Sequence, residues 1–130
     1  MSASELPIPR AARLRVLLVE DESMVALLLE NMLAELGHEV VGPVARLDEA
    51  LEMAQGEALD VALLDVNLNG KEIYPVADAL AAREIPLVFV TGYGRRALRA
   101  PYCDRPILQK PFRRDALREL FAAVCRAKQE

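Results

Sequence analysis

Five short apolar runs, separated by segments of helical pattern, occupy the chain from Leu14 onward, and this alternation limits the fold more than any other feature. The first run, Leu14 to Val19, is branched and followed by acids, the mark of a buried strand. Val25, Leu28, Leu29, Met32 and Leu36 recur at helical spacing over Met24 to Leu36, and Gly37 stands where such a helix stops. Glu39 to Gly42 gives a second strand, closed by Pro43. Leu47, Ala50, Leu51 and Ala54 give a second helix that ends near Gly56, and Val61 to Asp65 gives a third strand. A loop with Asn67, Asn69 and Gly70 leads to a helix from about Tyr74 to Arg83, with Pro75 suited to its first turn. Pro86 opens a fourth strand, Leu87 to Thr91, and Arg105 to Gln109 forms a fifth. Leu117, Leu120, Phe121, Val124 and Cys125 share one face of a final helix. Met24, Leu28 and Leu120 are expected in the core. Between the fourth and fifth strands only Arg95 to Ala100 can be helical before Pro101, so the fourth helix is expected to be short or irregular.

Parallel strands need crossover connections, so strands alternating with helices imply an α/β fold: a doubly wound, five-stranded parallel sheet covered on both faces. The 130 residues fit one domain, and 53% hydrophobic with 28% charged residues is a globular balance. Residues 1–13 hold two prolines and lack the apolar stretch of a signal peptide, which predicts a flexible N-terminal tail ahead of a domain at 14–130. No apolar run approaches the roughly 20 residues that span a bilayer, so no membrane partner is expected. Cys103 and Cys125 make neither a disulfide framework nor metal-ligand spacing, which points to a reducing cytoplasm. The single histidine, His38, argues against a His-based metal site or triad.

Charge is segregated. Glu20 to Asp65 contains twelve acids and one base, Arg46, whereas Arg95 to Arg114 contains seven bases and one acid, Asp104. The acidic half is poorly suited to nucleic acid, and none is expected as a partner. The basic half could meet an acidic partner or simply be a solvated face.

In open parallel sheets, ligands sit at the carboxyl ends of the strands where strand order reverses. Those ends carry Glu20-Asp21-Glu22, Asp65, Thr91 and Gln109-Lys110-Pro111. Converging carboxylates repel one another by about 4 kcal/mol per pair at 4 Å and an effective dielectric near 20, so a cation is expected among them. Oxygen-only ligands favour a hard ion, and Mg²⁺ is usual where phosphate also binds. A carboxylate, a divalent ion, a lysine and a hydroxyl form a phosphoryl-transfer constellation.

At these residues the chain resembles the receiver domains of bacterial two-component response regulators, over about Leu14 to Lys128. The matching pieces are Val-Leu-Leu-Val-Glu-Asp-Glu at 16–22, Leu-Leu-Asp-Val-Asn-Leu at 63–68, Val-Phe-Val-Thr-Gly at 88–92 and Lys-Pro-Phe at 110–112. The resemblance implies a flavodoxin-like (βα)5 receiver. It makes Asp65 the phosphoacceptor, Thr91 the switch hydroxyl and Lys110 the phosphate-contacting lysine. It puts Asp21 and Asp65 on Mg²⁺, Glu20 on it through water, and Asn67 on it through its backbone carbonyl. A cis Lys110–Pro111 bond is common in the family. The resemblance further implies a phosphoprotein signalling domain that phosphorylates and dephosphorylates itself, not a turnover enzyme. Its partners would be a sensor histidine kinase or a histidine phosphotransfer protein, and a downstream protein or second copy on the face made by residues 91–125. The alternative within the same fold is a phosphate sink or shuttle with no switched output.

Two departures from the family pattern stand out. Ile107 occupies the position, three residues before the lysine, where many receivers carry a switching Tyr or Phe. Thr91-Gly92-Tyr93-Gly94 resembles the Phe-x-Thr-Gly-Tyr-Gly loop of a largely stand-alone subgroup found mostly in alphaproteobacteria, with no output domain expected after Glu130. Tyr93 either shares the switch or packs over the fifth strand. Glu22 is either a first-turn helix acid, favoured by the dipole, or a metal contact. A metal-dependent hydrolase fits poorly, because Asp65-Val66-Asn67 is not Asp-x-Asp and no cap has room. A P-loop protein is excluded by the lack of a Gly-Lys-Ser/Thr stretch.

Overall fold

The computed structural model describes residues 13–128, and the tail expected at 1–13 lies outside them except for Arg13. Element order is β1 (Arg15–Val19), α1 (Ser23–Glu35), β2 (Glu39–Val44), α2 (Leu47–Gly56), β3 (Val61–Asp65), β4 (Asn67–Leu68), β5 (Lys71–Glu72), α3 (Tyr74–Ala82), β6 (Leu87–Thr91), a 3₁₀ turn (Gly94–Ala97), β7 (Ile107–Gln109) and α4 (Arg114–Lys128). The sheet is parallel, in the order β2-β1-β3-β6-β7. Strand order therefore reverses between β1 and β3, and the carboxyl ends of those strands form the crevice where ligands are expected.

Alternation along the strands feeds two cores. Leu17, Val19, Ala62, Leu64, Leu87 and Phe89 pack with α2 and α3 on one face. Val16, Leu18, Val61, Leu63, Val88, Val90 and Leu108 pack with α1 and α4 on the other. Burial on both faces is why the central strands carry near-continuous apolar runs. Among the described residues, no helix is long and apolar enough to cross a membrane.

The structure departs from the sequence expectations at four places. Pro43 does not close β2. The strand continues to Val44 through a register shift, with Val19 opposite Val44. Gly42 makes this possible: its φ is +107°, and a Cβ there would lie 2.9 Å from the Leu18 carbonyl oxygen. Because β2 is an edge strand, Pro43 can forgo an outward N–H. Second, the loop after β3 is a hairpin. Asn69 and Gly70 both have positive φ, 53° and 82°, and join β4 to β5. Asn-Gly between two short strands is a strong hairpin signal, because both turn residues must reach positive φ. Third, Met24 and Leu28 are not core: they are 79% and 45% exposed, and Ala26, Leu29, Met32 and Leu33 supply the buried stripe of α1. Leu120 packs, half-buried, against the α1/α4 core. Fourth, β7 is only three residues long and begins after Pro106.

The expected weak helix is indeed short. In place of a long helix over β6 and β7, Leu98 and Tyr102 fill the core edge beside Phe89. Tyr102 stacks on Tyr74 at 5.9 Å between centroids, and its hydroxyl is bonded to Asp78 of α3. Burial and that carboxylate push the Tyr102 pKa up to about 12.

Candidate functional site

The carboxyl ends of β1, β3, β6 and β7 border an open cleft lined by Asp21, Glu22, Asp65, Thr91 and Lys110 among others. Asp65 is the last residue of β3, and a position inside the fully buried strand leaves the residue only 6% exposed. One of its oxygens accepts the Asn67 N–H at 3.2 Å, and the other lies 3.3 Å from Lys110 Nζ. Lys110 directly follows β7, and its own N–H donates to the Thr91 carbonyl at 2.9 Å, which fixes the lysine across the crevice from β1. Its Nζ also lies 3.2 Å from both Glu20 and Glu22. Partial burial works against the lysine charge, but Asp65 and Glu20 outweigh it and push the Lys110 pKa up. The Lys110–Pro111 bond is cis.

Glu20 is the most deeply buried acid of the group, at 2% exposure. Burial, reinforced by the Asp65 carboxylate beside it, pushes its pKa up to about 8. One oxygen accepts the Glu22 N–H at 3.1 Å. The other, Oε1, lies at ion-pair distance from Lys110 but accepts no hydrogen bond among the described residues. A buried carboxylate oxygen without a donor is costly unless something positive meets it. Glu20, Asp21, Glu22 and Asp65 can each bring one oxygen within 4.8 Å of the others. An all-oxygen donor set with an unsatisfied buried member fits a hard divalent cation.

The remaining predicted residues fall around this group. Asp21 is held by the hairpin, accepting the Asn69 N–H at 3.0 Å. The Asn67 side chain is occupied by the turn, accepting the Gly70 N–H at 2.8 Å, and the residue lines the cleft. Thr91 ends β6 with its hydroxyl 4% exposed as a residue and accepting the Tyr93 N–H at 3.1 Å. Tyr93 itself is 78% exposed at the cleft lip, so it does not pack over β7. Ile107 is half-buried against the α2/α3 core. Glu22 sits at the N-cap of α1 without making a capping bond, and its side chain turns to Lys110 instead.

Sequence reasoning missed Glu72, which lines the same cleft from β5. Its only signal was the Asn-Gly turn, which sets Glu72 opposite Asn67 in the hairpin. Chemically, the cleft brings together a buried carboxylate, a lysine, a buried hydroxyl and a cation-compatible acid group.

Comparison with known proteins agrees with this layout. Residues 16–122 match the response regulator receiver domain family. The structure of SdrG from Sphingomonas melonis Fr1 superposes with a TM-score of 0.78 at 43% identity, covering 87% of this chain and 97% of that one. The BeF3-activated conformation of SdrG, from Pseudomonas melonis Fr1, gives a TM-score of 0.73 at 44% identity, covering 85% and 95%. The transcriptional regulatory protein PdtaR of Mycobacterium tuberculosis is 32% identical over 96 residues, 73% of this chain and 45% of PdtaR. The chain spans less than half the length of the curated relatives it matches.

Proposed function

Because the chain belongs to the response regulator receiver domain family, we propose that it accepts a phosphoryl group on Asp65 from a phosphohistidine donor and changes a partner-binding face in response. The observation that carries this is the Asp65 carboxylate, on a side chain 9% exposed in the cleft and 3.3 Å from Lys110 Nζ. An Asp65 oxygen attacks phosphorus, the donor's P–N bond breaks, and the imidazole keeps the electron pair. Lys110 neutralises charge on the transferred group, and the Thr91 hydroxyl, freed from the Tyr93 N–H, hydrogen-bonds to it. Glu20, Asp21, Asp65 and the Asn67 carbonyl are the groups that would hold Mg²⁺, which when bound screens the acids from one another and polarises the phosphoryl oxygens.

Phosphorylation adds about −1.5 to −2 charges at pH 7. Thr91 and Lys110 are drawn to that charge, and both bracket the segment between β6 and β7. Movement there would alter the arginine-bearing 91–125 face, which we assign to a downstream protein or a second copy. The donor would be a sensor histidine kinase or a histidine phosphotransfer protein in a bacterial cytoplasm. The match to SdrG over 97% of the solved chain supports the stand-alone type.

Acetyl phosphate with Mg²⁺, followed by intact mass, tests the acceptor. One phosphoryl group per chain is expected, and none on Asp65→Asn; equal uptake by both proteins moves the site elsewhere. Beryllofluoride with Mg²⁺, followed by NMR, tests the switch, and an absence of shifts across residues 91–111 would sink it.

A further inference from the structure

The segment between β6 and β7 borders the cleft, and an ion pair ties it to β5, which lines the same cleft. Arg99 Nη2 lies 3.1 Å from a Glu72 carboxylate oxygen. Glu72 lines the cleft together with Asp65, Thr91 and Lys110. Arg99 is held from two further directions. Its guanidinium lies 4.5 Å above the Tyr74 ring, and the Arg99 main-chain N–H donates to the Tyr74 hydroxyl at 3.1 Å. That hydroxyl in turn donates to the Ala97 carbonyl at 2.9 Å. Tyr74 is buried at the start of α3, so a rigid element sets where this cation sits.

These contacts do little for the fold. The two side chains of the pair are 61% and 59% exposed, and exposed pairs contribute little to stability. Their place matters more than their strength. A carboxylate on the wall of a cleft that receives an anion works against that anion unless a cation sits beside it.

We propose that Arg99 is a positioning residue for the phosphoryl group on Asp65, acting by neutralising Glu72 at the cleft mouth. The inference rests on Asp65 being the acceptor. The coupling is reciprocal. An anion on Asp65 strengthens the hold of Glu72 on Arg99. A partner that pulls Arg99 from Glu72 leaves the phosphoryl group facing a bare carboxylate.

The test is the affinity for beryllofluoride with Mg²⁺, titrated by NMR on the intact chain. Variants are Arg99→Ala, Arg99→Lys, Glu72→Gln and the Arg99→Ala/Glu72→Gln pair. Arg99→Ala is expected to weaken binding about three- to fivefold, the scale of an exposed charge interaction. Arg99→Lys recovers most of that loss, Glu72→Gln binds at least as tightly as the parent, and Arg99→Ala costs nothing further in the Gln background. Unchanged affinity in Arg99→Ala overturns the proposal. So does an equal loss in both backgrounds, or a failure of lysine to rescue, since a merely structural role for Arg99 gives those results. If the parent chain shows no shifts at Asp65, Thr91 and Lys110, the acceptor assignment falls and takes this inference with it. Parent binding without an Arg99 effect sinks this inference alone.

Discussion

At the amino ends of the strands, Arg15 has a partner in each direction: Glu39, Glu57 at 3.7 Å and the Ala58 carbonyl at 2.7 Å, while Asp60 accepts its N–H at 2.8 Å. At the carboxyl ends, Glu20, Glu22 and Asp65 share the single ammonium of Lys110, and one buried Glu20 oxygen takes no hydrogen bond. Both ends carry acids in number, but only one end satisfies them. The amino end is a finished network whose role is to hold β1, β2 and β3 in register. The carboxyl end is left short of positive charge, and a fold that tolerates such a deficit in its own structure is open to a cation and to chemistry.

The contrast can be broken most sharply by activity. Asp65→Asn is expected to abolish phosphoryl uptake from acetyl phosphate, whereas Arg15→Ala keeps it in full; a loss in the Arg15 variant, read by intact mass, would erase the distinction between the ends.

A second effect is on stability against pH. The folded-state pKa of Glu20, pushed up to about 8 from an ordinary 4.5, means that the folded chain binds this proton more tightly than the unfolded chain does. Stability is therefore greatest below about pH 4.5 for this group and falls as pH rises toward 8. At about 1.4 kcal/mol per unit the fall is on the order of several kcal/mol in the presence of a chelator. Urea midpoints at pH values near the two limits should show it, and added Mg²⁺ should flatten it. A chelated protein that gains stability with rising pH across this window would contradict the assignment to Glu20.

Smaller effects sharpen the same comparison. Glu20→Gln, unfolded by urea in chelator at alkaline pH, should gain about 1–3 kcal/mol by removing a buried charge. It should also lose the response to Mg²⁺. Arg15→Ala should lose about 1 kcal/mol, because its partners are half-exposed and solvent replaces part of what they lose. Tyr93→Ala should leave stability within about 0.5 kcal/mol, since the ring packs on little.

The alternation of strands and helices and the acids at the strand ends were legible in the sequence because the strand period and the strand-end positions are local signals, whereas the reversal point between β1 and β3 is set only in the assembled sheet. The short helix before β7 was legible for the same reason, with Pro101 standing as a local stop. What escaped depended on neighbours distant in sequence. Met24 and Leu28 were expected in the core, but the sheet covers only about a third of a helix, and rotation of α1 buried Leu29 and Met32 of the expected stripe with Ala26 and Leu33. Pro43 looked like a terminator because the role of β2 as an edge strand is a property of the assembled sheet. Glu22 turned from a helix acid to a partner of Lys110, 88 residues away in the chain. The tie between Glu72 and Arg99 joins two loops whose meeting no spacing encodes.

The chain has three tyrosines and no tryptophan. Tyr74 and Tyr102 are stacked and buried, and Tyr93 stands 78% exposed at the cleft lip. Intrinsic fluorescence therefore comes from two environments, and a soluble quencher reaches the one ring that borders the acid cleft. Quenching of Tyr93 in the unlabelled protein is therefore expected to change when a metal or a phosphoryl group fills that cleft.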